Sequence, residues 1–174
     1  MVRPVITPSG VESPFGENEL IVSKTDLKGR ITYVNDVFLR VSRYGFKEIV
    51  GAPHSIIRHP AMPRCVFKLM WDTIQNGGEM FAYVLNLASN GDHYWVFAHV
   101  TPSRDVDGSM IGFHSNRRKP TPDQVARIAP LYRILREQEE QWPNRKDGMA
   151  QAHATLMATL SERGLDYDQF AFSI

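Results

Sequence analysis

Six histidines, one cysteine and scattered carboxylates are the residues with the chemistry for catalysis or metal binding in this chain. His54 and His59 stand five apart across Pro53 and Pro60, and His93 and His99 stand six apart. On a single strand the second pair would share a face but lie about 20 Å apart. Neither spacing resembles a compact zinc site. Cys65 follows Arg64 at the start of an apolar helical run, the setting of a buried structural thiol rather than a nucleophile. Being alone, it forms no intrachain disulfide. Gly77-Gly78 lacks the spacing of a phosphate-binding loop, no Gly-x-Ser-x-Gly elbow occurs, and Asp105 and Asp107 flank a turn. No catalytic constellation emerges, so the chain is not expected to be an enzyme.

The elements that carry these residues follow from hydrophobic period and turn chemistry. The 174 residues are 43% hydrophobic and 22% charged, an ordinary globular composition. A net charge of +1 argues against a nucleic-acid footprint, and the run Arg117-Arg118-Lys119 reads as a solvated loop. Leu20-Ile21-Val22 opens a strand, Thr25 to Gly29 turns, and Arg30 to Val34 returns. Asn35-Asp36 is placed to cap a short helix holding Val37, Phe38 and Val41. Beyond Pro63, Val66, Phe67, Met70, Trp71 and Ile74 form the apolar stripe of a longer helix that stops at Asn76-Gly77-Gly78. Met80 to Ala88, His93 to Pro102 and Met110 to Asn116 are three further strands, the first two joined through Asn90-Gly91. In the second of them Tyr94, Val96 and Ala98 face one way and Trp95, Phe97 and His99 the other.

The expected fold class is therefore α+β: five antiparallel strands, with helices inserted between the second and third and laid on one sheet face. A ligand pocket between sheet and helices follows from that arrangement. After Lys119, Thr121-Pro122-Asp123-Gln124 reads as a capping box that opens a helix, which Pro130 should kink or interrupt. A second helix should end at Gly164, and the tail carrying Tyr167, Phe170 and Phe172 should pack on this core or on a partner. The expected organisation is a flexible leader over 1–18, a sensor domain over 19–119 and a helical extension over 120–174. No signal peptide or apolar span of about 20 residues is present, which fits a cytoplasmic protein with no membrane insertion.

The run Thr25-Asp26-Leu27-Lys28-Gly29-Arg30-Ile31-Thr32-Tyr33-Val34-Asn35-Asp36 resembles the opening hairpin of a PAS domain. Gly51 to Pro63, with its Arg58-His59-Pro60-Ala61-Met62-Pro63 corner, and Asn90 to Val96 resemble the sensor domain of bacterial aerotaxis receptors. The resemblance covers about Glu19 to Tyr132, in what reads as a stand-alone PAS protein. Two positions depart from it: Ala61 replaces an acidic residue, and Met80 replaces a tryptophan.

This resemblance implies a noncovalent FAD site whose redox state is the signal. Arg58 and His59 would belong to the flavin segment, while Asn35, Trp71 and Asn86 match polar or aromatic pocket positions. Trp71 and Phe81 would wall an isoalloxazine, Asn35 and Asn86 would meet its pyrimidine edge, and an arginine would pair with the pyrophosphate. Each residue also has a plain structural reading: Asn35 as a helix cap, Trp71 as core, Arg58 and His59 as loop ties. The implied function is redox or oxygen sensing, with output through a signalling partner of the chemotaxis or two-component kind and an expected homodimer. A ligand-free adaptor module is the first alternative. A haem-binding sensor, with His54, His59, His93 or His99 as axial ligand, is the second.

Overall fold

In the computed structural model, which describes residues 6–174, the first hairpin is set by its turn. Asp26 Oδ1 accepts from the amides of Lys28 (2.9 Å) and Arg30 (2.8 Å), and Gly29 turns the chain at φ +74°. A side chain at Gly29 would also strike the Trp71 ring, so a larger residue is excluded twice over. The hairpin joins β1 (Ile21–Thr25) to β2 (Ile31–Val34). Three short helical pieces follow: α1 (Asp36–Ser42), α2 (Phe46–Ile49) and a 3₁₀ turn over His54–Ile57. Then come α3 (Arg64–Gln75), β3 (Met80–Leu87), β4 (His93–Arg104) and β5 (Met110–Arg118).

The strands form one antiparallel sheet in the order β2-β1-β5-β4-β3. Its core face carries Ile21, Tyr94, Val96, Ala98 and Phe113, which meet Phe38, Val41, Met70 and Ile74 from α1 and α3. Fully burying one such large apolar side chain contributes about 1.5–3 kcal/mol. The α+β reading and the alternation along β4 hold in the structure: Tyr94, Val96 and Ala98 are buried, and Trp95, Phe97 and His99 are only partly so.

Three helices complete the chain: α4 (Pro122–Glu140), α5 (Arg145–Arg163) and α6 (Tyr167–Ser173). Thr121 caps α4 with Gln124 in a reciprocal capping box, as its sequence demands. The expected interruption at Pro130 does not occur; α4 is continuous through it. Ile128, Tyr132 and Leu135 on its buried face hold it in place, so tertiary packing outweighs the lost backbone bond. Helix α5 lies against α4 closely enough that a Cβ on Gly148 would run into the Glu139 carbonyl. Its C-terminus is closed by Gly164 in the left-handed region.

These helices share one core with the sheet rather than forming a separate unit: Leu135, Leu156 and Phe170 belong to the same buried cluster as Phe38 and Tyr94. They wrap the β3 edge. Tyr132 Oη donates to the Tyr83 carbonyl (2.6 Å), leaving Tyr167 to donate to Tyr132 (2.8 Å). Asp168 Oδ1 accepts from the Phe81 amide (2.8 Å). Glu139, 1% exposed, accepts from Arg64 Nε (3.0 Å) and from the Cys65 amide (2.8 Å), capping the N-terminus of α3 with a carboxylate.

Residues 1–5 of the anticipated leader lie outside the described residues. Between residues 6 and 18 Ser13 and Phe15 are buried, and Ser13 N donates to the His93 carbonyl (2.8 Å).

Candidate functional site

Helix α3 and the sheet enclose an apolar cavity of about 70 Å³. Phe67, Met70, Trp71 and Ile74 line it from α3, and Val84, Ala98, Val100 and Phe113 from the strands. Trp71 stands edge-on to Phe113, with ring centroids 5.4 Å apart. Into this apolar setting project Asn86 from β3, Ser115 and Arg117 from β5, Thr25 from β1 and His54 from the 3₁₀ turn.

Arg117 is the unusual member. It is 3% exposed, and no carboxylate pairs with it among the described residues. Its Nη2 contacts Ser23 Oγ (2.8 Å) and His54 Nε2 (2.7 Å), and its Nη1 has no partner. Burial draws its pKa down to about 10. Because the guanidinium donates, His54 Nε2 carries the lone pair and the imidazole proton sits on Nδ1. Burial, then the charges of Arg117 and Arg58, depress the His54 pKa to about 3, so the ring is neutral. Asn86 Nδ2, Ser115 Oγ and Thr25 Oγ1 are likewise buried without a hydrogen-bond partner. Buried polar groups are seldom left so, and an unpaired buried charge is costlier still.

The structure divides the six residues expected from sequence. Trp71 and Asn86 line the cavity. Arg58 stands just outside it: its backbone bridges to Asn86, its guanidinium lies 3.8 Å over the Phe67 ring, and its Nε is unpaired. His59 is turned to the surface beyond, its Nδ1 accepting from the Ala61 amide (3.1 Å). Asn35 is fully engaged elsewhere. Its Oδ1 accepts from Val22 N (3.0 Å) and Phe38 N (3.1 Å), and its Nδ2 donates to the Leu20 carbonyl (2.8 Å). It is a cap and strand tie, with no group left for a ligand. Phe81 is on the opposite sheet face, stacked on His99 with centroids 4.0 Å apart and packed on Phe172. It cannot wall the cavity, because residues of one parity on β3 point away from α3.

Arg117 is not among the cavity residues expected from sequence, and His54 is expected there only as a haem ligand. The sequence pattern ends the strand at Asn116 and gives Arg117 to a loop. In fact β5 runs on to Arg118, and the buried parity Phe113-Ser115-Arg117 places the guanidinium inside. That alternation was the available signal. Cys65 is the structural thiol expected, burial and the neighbouring Glu139 pushing its pKa up to about 12.

Of the four histidines offered as haem ligands, only His54 lines this cavity, and its Nε2 is taken by Arg117. His99 is held by Glu79 (2.6 Å) on the other face.

A family model described as PAS fold matches residues 31–116. The chain carries a PAS domain. The aerotaxis receptor of Escherichia coli (strain K12) is 39% identical over 123 residues, which cover 71% of this chain and 24% of the receptor. Phototropin-1A of Oryza sativa subsp. japonica is 26% identical over 100 residues, 56% of this chain and 11% of that protein. The chain thus spans a quarter or less of these curated relatives. A light-oxygen-voltage domain studied with a flavin analogue superposes on the PAS domain with a TM-score of 0.56 at 17% identity. The superposition covers 71% of this chain and 87% of that one, and it shows the shared fold. Among the described residues no helix is long and apolar enough to cross a membrane.

Proposed function

We propose that this PAS domain is a cytoplasmic redox or oxygen sensor that binds FAD between α3 and the sheet. One observation carries the reading: Arg117, buried without a carboxylate, faces a cavity in which Asn86, Ser115 and Thr25 also lack partners. Together these supply donors and acceptors of the kind that the pyrimidine edge of a flavin requires, inside apolar walls suited to a flat ring. The donor chemistry fits. The cavity of about 70 Å³ is well short of the roughly 300–1,000 Å³ of small-molecule sites, so this reading requires α3 side chains to turn aside on binding. Met70, unbranched and lining the cavity, is the residue best able to yield.

Bound flavin supplies reversible electron and proton uptake. The chain's own residues convert it to a signal. Arg117 Nη1 offers a donor to whatever charge develops in the cavity, while Nη2 rests on His54 and Ser23. Added negative charge there draws the guanidinium inward and raises the His54 pKa, loosening the contact that ties β5 to the 3₁₀ turn. Arg58, Trp71 and Asn86 hold the ligand, and His59 stands at its outer end. Output passes by contact to a signalling partner of the chemotaxis or two-component class, from a homodimer.

A visible absorption spectrum of the freshly purified protein tests this. Flavin bands that release FAD on heating are expected, and Arg58→Ala/His59→Ala is expected to purify folded but colourless. A colourless wild-type protein that takes up no added FAD overturns the reading. The small cavity favours the second reading in that event, a ligand-free adaptor module.

A further inference from the structure

Helix α4 grips the rest of the chain with one face and leaves the opposite face bare. Ile128, Tyr132, Leu135 and Glu139 are buried. Ala126, Pro130, Arg133, Ile134 and Glu137 are exposed, Ile134 by 48%. Their spacing of three and four residues gathers them into one stripe along the helix. Beside that stripe, between α4 and the outer sheet face, runs a groove of about 460 Å³. Ala126, Ala129 and Pro130 line it from α4, and Met62 and Trp95 from across. The small side chains on α4 leave it open, and Arg133 and Glu137 also line it.

These two charges are free while their neighbours are not. At the same i, i+4 spacing on the same helix, Asp123 pairs with Arg127 (3.2 Å) and Arg136 with Glu140 (2.8 Å). Arg136 is tied further to the Pro60 carbonyl (2.9 Å). Arg133 and Glu137 make no hydrogen bond or ion pair among the described residues. A cation and an anion about 6 Å apart along a helix match their own image turned end for end. In a twofold contact residue i meets j while j meets i. Two α4 helices laid antiparallel therefore set Arg133 of each against Glu137 of the other, with both copies of Ile134 beside the axis. A parallel pair would oppose like charges instead. In the antiparallel register Trp142, 44% exposed in the bend after α4, comes level with the partner's Ile128, between the Ala126 and Pro130 that line the groove. A tryptophan set among small groove residues is a frequent anchor of protein interfaces.

The geometry points to the exposed face of α4 as the surface on which a second copy of this chain docks, antiparallel, with Arg133 and Glu137 of each copy paired across a twofold axis. The inference rests on the homodimer of the function proposed above and not on its flavin. It gives a use to α4, which lies outside the residues 31–116 matched by the PAS family model. Tyr132, on the buried side of the same helix, donates to the Tyr83 carbonyl of β3, so the docking face is one hydrogen bond from the sheet. A contact built on one helix is small, near the lower bound of about 1,200 Å² for stable interfaces, so the pair forms and parts readily.

The test is sedimentation velocity on the full chain over a dilution series. The wild-type protein is expected to pass from dimer to monomer in the micromolar range. Arg133→Glu and Glu137→Arg, both at exposed positions, each set like charges against one another. Each is expected to weaken association at least about tenfold while leaving thermal unfolding and the visible spectrum unchanged. An equimolar mixture of the two variants is expected to recover the dimer, because each copy then meets opposite charge at both contacts. No pairing within one chain produces that rescue. A wild-type protein that stays monomeric throughout overturns the docking surface and the homodimer together. A wild-type dimer that either single variant leaves intact, or a mixture that stays monomeric, overturns this interface and leaves the homodimer reading standing.

Discussion

Glu139 and Tyr132 on α4 and Arg117, Asn86 and Ser115 in the cavity are comparably buried but differently partnered. On α4 each of these groups is answered: Glu139 by Arg64 and the Cys65 amide, Tyr132 by Tyr83 and Tyr167. In the cavity Arg117 has a charge without a counter-charge, and Asn86 and Ser115 each have an atom with no partner. A closed network fastens one part of the chain to another. An open one, kept inside an apolar wall, is stable only if something else completes it.

Several measurements can break or sharpen that distinction. The largest effect should come from the closed side. Glu139→Ala leaves Arg64 and the α3 N-terminus without their carboxylate, and the expected loss is about 3–5 kcal/mol in urea unfolding. A loss below about 1 kcal/mol would mean that this network does not fasten α4 to α3.

The second effect is a pH dependence. The His54 pKa falls from about 6.5 unfolded to about 3 folded, so between those values the unfolded chain binds the extra proton. Stability is therefore fullest above pH 6.5 and declines as the pH drops, by about 1.4 kcal/mol per unit and on the order of 2 kcal/mol by pH 5. His54→Gln is expected to flatten that part of the curve. An unaltered slope would place the titration on another group.

The open side predicts a change of opposite sign. Arg117→Met exchanges an unpaired buried charge for apolar volume, so the flavin-free protein should gain stability, by about 1–3 kcal/mol, while losing flavin uptake. A destabilised variant would show that Arg117 already has all the partners it needs. The smallest effect is expected for Tyr132→Phe, about 1 kcal/mol in thermal unfolding, since it removes one hydrogen bond and keeps the ring.

The ease with which these features are read from sequence follows the same physical divide. Strand β4 declares its faces because only one of them is fully buried, and Tyr94-Val96-Ala98 alternates cleanly with Trp95-Phe97-His99. Strand β3 does not. From Met80 to Leu87 nearly every residue is buried, because α4 and α6 cover the side that α3 does not. With no alternation to read, Phe81 could be assigned to either face, and it lies on the outer one. Asn35 was legible in both its guises, and the cap won because the backbone amides of Val22 and Phe38 are closer at hand than any ligand. Arg117 was hidden by its company. Three successive basic residues look like a surface run, and only the parity inherited from Phe113 turns the first of them inward.

The sealed rim of β3 has a consequence for how copies of the chain can meet. A bare edge strand is a template onto which another chain can add its own strand. Here the outward-facing groups of β3 are already bonded: Phe81 N to Asp168, the Tyr83 carbonyl to Tyr132, and the Leu85 carbonyl to His59 N. At the other end β2 is only four residues long, and its Ile31 is paired with Gly51 and Ala52. Growth of the sheet from molecule to molecule is blocked at β3 and curtailed at β2. Edge-to-edge growth into open-ended fibrils is thereby disfavoured.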